Sequence, residues 1–69
     1  MFAIRNKKDK RWVYGTDYRY SKPRQRCSHE DVKIYSEMIL AENEMALRQI
    51  NIKNYEIVEV ELTEVKKVG

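Results

Sequence analysis

The sequence predicts an α+β domain, a small antiparallel sheet with one helix packed on it, and three patterns carry that prediction. Short alternating stretches at the N-terminus flank a polar turn, residues 38–50 repeat apolar side chains at helical spacing, and the last third alternates valine with glutamate. With 69 residues the chain makes one domain, spanning 1–69, with no room for a second.

Residues 2–5 and 11–14 read as two strands of a hairpin around Asn6-Lys7-Lys8-Asp9-Lys10, in which Asn6 and Asp9 tolerate the left-handed backbone a tight loop requires. Phe2 and Ile4 share one face of the first strand, and Trp12 and Tyr14 one face of the second, where both rings are expected in the core. Gly15-Thr16-Asp17 breaks the ladder. Tyr18-Arg19-Tyr20 alternates like a strand, but Pro23 has no N–H to donate, so 18–26 is an edge or an ordered loop.

Two helix starts compete. Ser28 could cap a long helix with Asp31 at the capping-box position. Alternatively Val32-Lys33-Ile34-Tyr35 is a short strand and Ser36 caps a helix over 37–50, with Glu37 in its first turn and Arg48 in its last. The second reading is preferred. At 100° per residue, Ile39, Leu40, Ala46, Leu47 and Ile50 fall on one face, and Met38, Ala41 and Met45 fall nearly opposite. The first face is expected to pack on the sheet. The second, Met38, Ala41 and Met45, is expected to be covered by a loop or to serve as a homo-oligomer interface. Asn51 to Asn54 ends the helix, and the final strand runs over 55–65 with Val58, Val60 and Leu62 inward and Glu59, Glu61 and Thr63 outward. Residues 66–69 are expected to fray.

Charge is strongly polarised. Residues 1–27 hold nine basic side chains against two acidic ones, net +7, whereas 28–69 hold five against nine, net −4. Trp12, Tyr14, Tyr18 and Tyr20 are interleaved with the positive charges, a pattern suited to an anionic partner, either nucleic acid or an acidic protein surface. The candidate binding residues are Arg19, Tyr20, Lys22, Arg24 and Arg26 in the proline segment, with Lys7 and Lys8 in the hairpin loop. Arginine and lysine neutralise phosphates or carboxylates, and exposed rings stack on unpaired bases. The bland alternative for the hairpin lysines is a solvated turn that guards a sheet edge.

Other function classes find little support. A chain this short buries only about 60% of its unfolded surface, so it needs a tight core or a partner subunit. Cys27 is the lone cysteine and His29 the lone histidine, too sparse and too close for a tetrahedral zinc site, so no metal or cofactor is expected. Cys27 fits a reducing compartment as a small buried apolar residue. His29-Glu30-Asp31 has no second histidine or phosphate-binding glycine loop to complete it, so the chain is read as non-enzymatic. No signal peptide or membrane span is visible, which points to the cytoplasm.

Taken in order, Met1-Phe2-Ala3-Ile4-Arg5, Gly15-Thr16-Asp17-Tyr18-Arg19-Tyr20, Val32-Lys33-Ile34-Tyr35-Ser36, Ala41-Glu42-Asn43-Glu44 and Tyr55-Glu56-Ile57-Val58-Glu59-Val60-Glu61 resemble small proteins of unknown function encoded by phages and prophages of Gram-positive bacteria. The resemblance implies a β-rich α+β domain with 32–35 as a strand, working in the host cytoplasm. It also implies a partner that is a host protein or protein–nucleic-acid complex, bound and modulated as anti-CRISPR proteins bind theirs. It transfers no catalytic or binding residue.

Overall fold

The computed structural model describes residues 1–61, which form β1 (Phe2–Asn6), β2 (Trp12–Asp17), β3 (Arg24–Ser28), α1 (Met38–Leu47) and β4 (Tyr55–Glu59). The fold is α+β. Four strands make one antiparallel sheet in the order β3-β2-β1-β4, and α1 packs against β1 and β4.

The β1–β2 loop closes by side-chain chemistry. Asn6 Oδ1 accepts the backbone N–H groups of Lys8 (2.8 Å) and Asp9 (3.2 Å), and Asp9 Oδ1 accepts that of Arg11 (3.0 Å). The left-handed position is Lys10, with φ 62°, and not the expected Asn6 or Asp9. Both of those residues are committed through their carbonyl and carboxylate oxygens to holding the turn.

Above the loop, β1 and β2 splay. Their only register pair is Arg5↔Trp12, and the segment from Lys33 to Tyr35 enters the gap. Phe2 and Tyr35 exchange backbone hydrogen bonds of 2.7 and 2.8 Å, and the Lys33 N–H reaches the Val13 carbonyl at 3.4 Å. The expected strand at 32–35 therefore contributes one bridge, Phe2↔Tyr35. The third full strand is β3, which starts immediately after Pro23 and lies at the sheet edge, where a proline at its entry costs no ladder hydrogen bond.

Ile4, Val13, Tyr35, Ala41, Met45 and Ile50 form the core, with Phe2, Cys27, Tyr55 and Ile57 packed around them. Phe2 and Ile4 share the helix-facing side as expected. Trp12 and Tyr14 do not reach it. The register Val13↔Cys27 turns Val13 inward, and an irregularity between Val13 and Gly15 leaves Tyr14 outward and exposed. In β4, Tyr55 and Ile57 face the helix, while Val58 pairs with Ala3 on the opposite face. Val60 is buried and its N–H bonds the Met1 carbonyl at 2.8 Å. The expectations for Leu62, Thr63, Val65 and residues 66–69 lie outside the described residues.

The helix packs with the face opposite to the one expected, and of the expected face Ile50 alone is buried. Ala41 (0% exposed) and Met45 (7%) are buried, whereas Ile39 (56%) and Leu47 (74%) are exposed. Ala41 and Met45 therefore belong to the core and are withdrawn as oligomer-interface residues, leaving only Met38 exposed among the three. The rotation is set at the helix ends. Tyr35, three residues before α1, is pinned into the sheet through Phe2, and Ile50 is drawn into the core just beyond it. Between these anchors the small Ala41 lets the helix axis approach β1 closely.

Both helix ends also differ in detail. The N-cap is Glu37, in extended conformation and without a side-chain cap, and not Ser36. Ser28 Oγ accepts the N–H groups of Glu30 (3.0 Å) and Asp31 (3.2 Å), so its capping chemistry closes a turn and starts no helix. At the C-terminus, Ile50 N–H bonds the Met45 carbonyl (2.8 Å) and Gln49 N–H bonds the Ala46 carbonyl (3.2 Å), with Gln49 left-handed at φ 55°. This paired closure ends the helix before Asn51, whose carbonyl caps the following turn by accepting Asn54 and Tyr55 N–H groups.

Candidate binding site

The β2–β3 hairpin gathers five of the seven expected binding residues at one end of the sheet: Arg19, Tyr20, Lys22, Arg24 and Arg26. Asp17, the last residue of β2, lies opposite Arg24, the first of β3, so the intervening chain must reverse within a short loop. Asp17 organises that loop. Its carboxylate accepts the Arg19 backbone N–H at 3.0 Å and the Arg19 guanidinium at 3.0 Å through Nε and 2.7 Å through Nη2. Arg26 reaches the same carboxylate from the neighbouring strand at 3.8 Å. The Asp17 side chain is only 11% exposed while that of Arg19 is 76% exposed, so the carboxylate lies beneath the cations it holds. Arg19, by its side-chain and backbone hydrogen bonds, holds the Asp17 carboxyl well below the usual carboxylate range, and Asp17 in turn raises Arg19.

Tyr20 and Arg24 form a second unit, with the guanidinium carbon 4.0 Å from the ring centroid. Tyr20 is 44% exposed, so part of the ring remains open to solvent. Among the described residues, Lys22 and Arg24 take part in no ion pair, although Arg19 and Arg26 do. The hairpin thus presents two cations shared with one carboxylate, two unpaired cations and a stacked ring.

The hairpin is clamped to the rest of the fold by a polar network. Thr16 Oγ1 donates to Gln25 Oε1 at 2.7 Å, Gln25 Nε2 donates to the Arg48 carbonyl at 3.0 Å, and Arg48 Nη1 donates to Thr16 Oγ1 at 3.1 Å. Glu44 accepts from Arg48 one helical turn earlier, which keeps the guanidinium aimed at the hairpin. The composition of the sequence held no signal for this network, because its members are spread over three elements.

Strand alternation puts Arg24 and Arg26 on the sheet face that also carries Trp12, Arg5 and Glu56. There Arg5 bonds Glu56 at 2.6 Å and lies 5.7 Å from the Trp12 ring centroid, and Lys10 lies 3.7 Å from the same carboxylate. Glu56 is therefore an internal partner of two cations and not part of a free acidic surface. It offsets one of the two positive charges on the β1 side of this face, and the larger positive surplus lies at the β2–β3 hairpin.

Lys7 and Lys8 do not join that group. They lie in the β1–β2 loop, at the opposite end of β2, beside Lys53 of the α1–β4 loop. Lys53 was not singled out by the sequence, since 46 positions separate it from Lys7. A backbone bond from Lys7 N–H to the Asn54 carbonyl, 2.9 Å long, joins the two loops.

Cys27 is half-buried against the core, and burial pushes its thiol up, away from the thiolate that reactive chemistry needs. His29 is exposed. No group of histidine, cysteine and carboxylate side chains with metal-binding geometry occurs among the described residues, and no helix there is long and apolar enough to cross a membrane.

No protein-family model matches this chain, and neither the curated proteins nor the solved structures contain a match to it.

Proposed function

We propose that this protein is a non-enzymatic binding module that holds an anionic macromolecule against the β2–β3 hairpin. The observation that carries the reading is the pre-organisation of Arg19 and Arg26 by one largely covered carboxylate, beside an unpaired Lys22 and the Arg24–Tyr20 stack. Cations fixed before encounter lose little side-chain entropy on binding, and their summed field speeds association. In the phage setting that the sequence resemblance implies, the partner is an acidic surface of a host protein or protein–nucleic-acid complex, and binding alters its activity in the host cytoplasm. Arginine forks pair with carboxylates in the bidentate manner such a surface requires.

The second reading is direct binding of nucleic acid by the same hairpin, favoured by the exposed rings of Tyr18 and Tyr20. Salt titration separates the two. Phosphate contacts lose affinity steeply as counterions return, with a log–log slope of about −0.7 per contact on single strands, whereas a packed protein interface responds weakly. The test is a Lys22→Glu, Arg24→Glu double variant, both positions being exposed and without an ion pair among the described residues. Capture of an acidic protein from nuclease-treated host lysate should be lost while circular dichroism stays unchanged. Retention of both protein capture and oligonucleotide binding in this variant would defeat the proposal.

A further inference from the structure

A second cationic site lies at the other end of the sheet, on side chains the hairpin does not use. The β1–β2 and α1–β4 loops flank an open cleft of about 390 Å³ lined by Asn6, Lys7, Lys8, Lys53, Asn54 and Tyr55. No carboxylate of the described residues lines it. Lys7, Lys8 and Lys53 are exposed and take part in no ion pair among the described residues, whereas the neighbouring Lys10 and Arg11 are tied to Glu56 and Asp9. Three lysines thus line one concavity without an ion pair among the described residues, and Glu56 reaches Lys7 only as a weak attraction shared with Arg5 and Lys10. Bringing like charges together is unfavourable in the empty protein, and a bound anion relieves it.

The walls are held in place before any ligand arrives. Asn6 Oδ1 fixes the first loop through the Lys8 and Asp9 N–H groups, and Asn51 Oδ1 fixes the second by accepting the Lys53 N–H at 2.8 Å. The Lys7–Asn54 backbone bond then locks one loop to the other. Tyr55, packed against the core, also lines the cleft and anchors that end of β4 beneath it. Lysine ammonium groups act as point-charge phosphate binders, and the cleft falls within the roughly 300–1,000 Å³ of small-molecule sites.

We infer that the Lys7–Lys8–Lys53 cleft binds the phosphate groups of a small phosphorylated molecule of about nucleotide size. The inference is independent of the partner proposed for the β2–β3 hairpin, since the two sites share no residue and lie at opposite ends of β2.

The experiment uses the full chain labelled with ¹⁵N and titrates inorganic pyrophosphate and ADP against sodium chloride of matched ionic strength. Saturable shifts are expected at the amides of Lys7, Lys8, Lys53 and Asn54, with the Arg19–Arg26 amides still. Removing three charge-assisted contacts at once, Lys7→Gln, Lys8→Gln, Lys53→Gln together should weaken pyrophosphate binding at least tenfold. All three positions are exposed, and an unchanged amide spectrum outside the loops would show that the variant folds. The Lys22→Glu, Arg24→Glu variant should bind pyrophosphate as the parent does. Shifts reproduced by sodium chloride alone, or an affinity unchanged in the triple glutamine variant, would overturn the site. A single-stranded oligonucleotide that binds these amides more tightly than ADP would overturn the small-ligand assignment and give the cleft to backbone phosphates.

Discussion

The side-chain amide of Gln25 donates a 3.0 Å hydrogen bond to the backbone carbonyl of Arg48, tying the edge strand of the sheet to the end of the helix. The same glutamine accepts from Thr16, and Thr16 accepts from the Arg48 guanidinium, so the three residues close a ring across β2, β3 and the helix C-terminus. This ring fixes the base of the cationic hairpin. Gln25→Ala leaves both the Arg48 carbonyl and Thr16 without their partner in a half-covered site, and should cost about 1–2 kcal/mol of stability. Urea unfolding measures it, and a cycle with Thr16→Val should be non-additive because the two side chains share one network. Additive losses would mean that the ring does not act as a unit.

The inverted helix face leads to a contrast between two substitutions. Met45→Ala removes a nearly buried side chain and should cost about 2–5 kcal/mol, while Leu47→Ala, at a position 74% exposed, should change stability by less than about 0.5 kcal/mol. Denaturant midpoints of the two variants decide it. A large loss at Leu47 with none at Met45 would restore the face that apolar content alone favours.

How far the fold could be read from the sequence follows from where the information lies. The hairpin, the helix and the C-terminal strand each carry a local period, so their existence and the α+β class are legible. The helix face was not, because both sides of residues 38–50 are apolar and the choice is made by Tyr35 and Ile50, which anchor the ends from outside the helix. Strand β3 was hidden for a different reason. Arg24-Gln25-Arg26-Cys27-Ser28 has little β-propensity and follows a proline, and it becomes a strand through pairing with β2 and the Gln25 clamp. At the site, the clustering of Arg19, Lys22, Arg24 and Arg26 was legible because they are neighbours in sequence. The role of Asp17 beneath them was not, nor was the meeting of Lys53 with Lys7 and Lys8, which depends on how the α1–β4 loop returns to the sheet.

The helix terminus offers a stabilising change. Gln49 adopts φ 55°, a left-handed conformation that strains a side-chain-bearing residue, while its N–H and that of Ile50 complete the closure of the helix. Gln49→Gly removes the Cβ penalty at a position whose backbone already requires it, and should raise stability by about 0.5–1 kcal/mol. A thermal midpoint that falls would show that glycine's extra freedom in the unfolded chain outweighs the relief of strain.

Acid titration tests the carboxylate beneath the hairpin. Asp17 is lowered chiefly by the Arg19 side-chain hydrogen bonds and then by the Arg19 backbone bond, with Arg26 adding a smaller attraction. A carboxyl lowered in the folded state contributes stability that is fully present above its unfolded value, near about 4, and is lost as pH falls through its folded value. The hairpin should therefore keep its organisation through the mildly acidic range and release Arg19 and Arg26 only in strong acid. The side-chain carboxyl resonance of Asp17, followed by NMR against pH, should titrate well below the usual carboxylate range. The Arg19 Nε chemical shift should change with the same midpoint as its acceptor is protonated. In Asp17→Asn that coupled transition should vanish. An Asp17 midpoint in the ordinary carboxylate range would mean that the arginines are not held before binding, and the pre-organisation argued for the hairpin would fall with it.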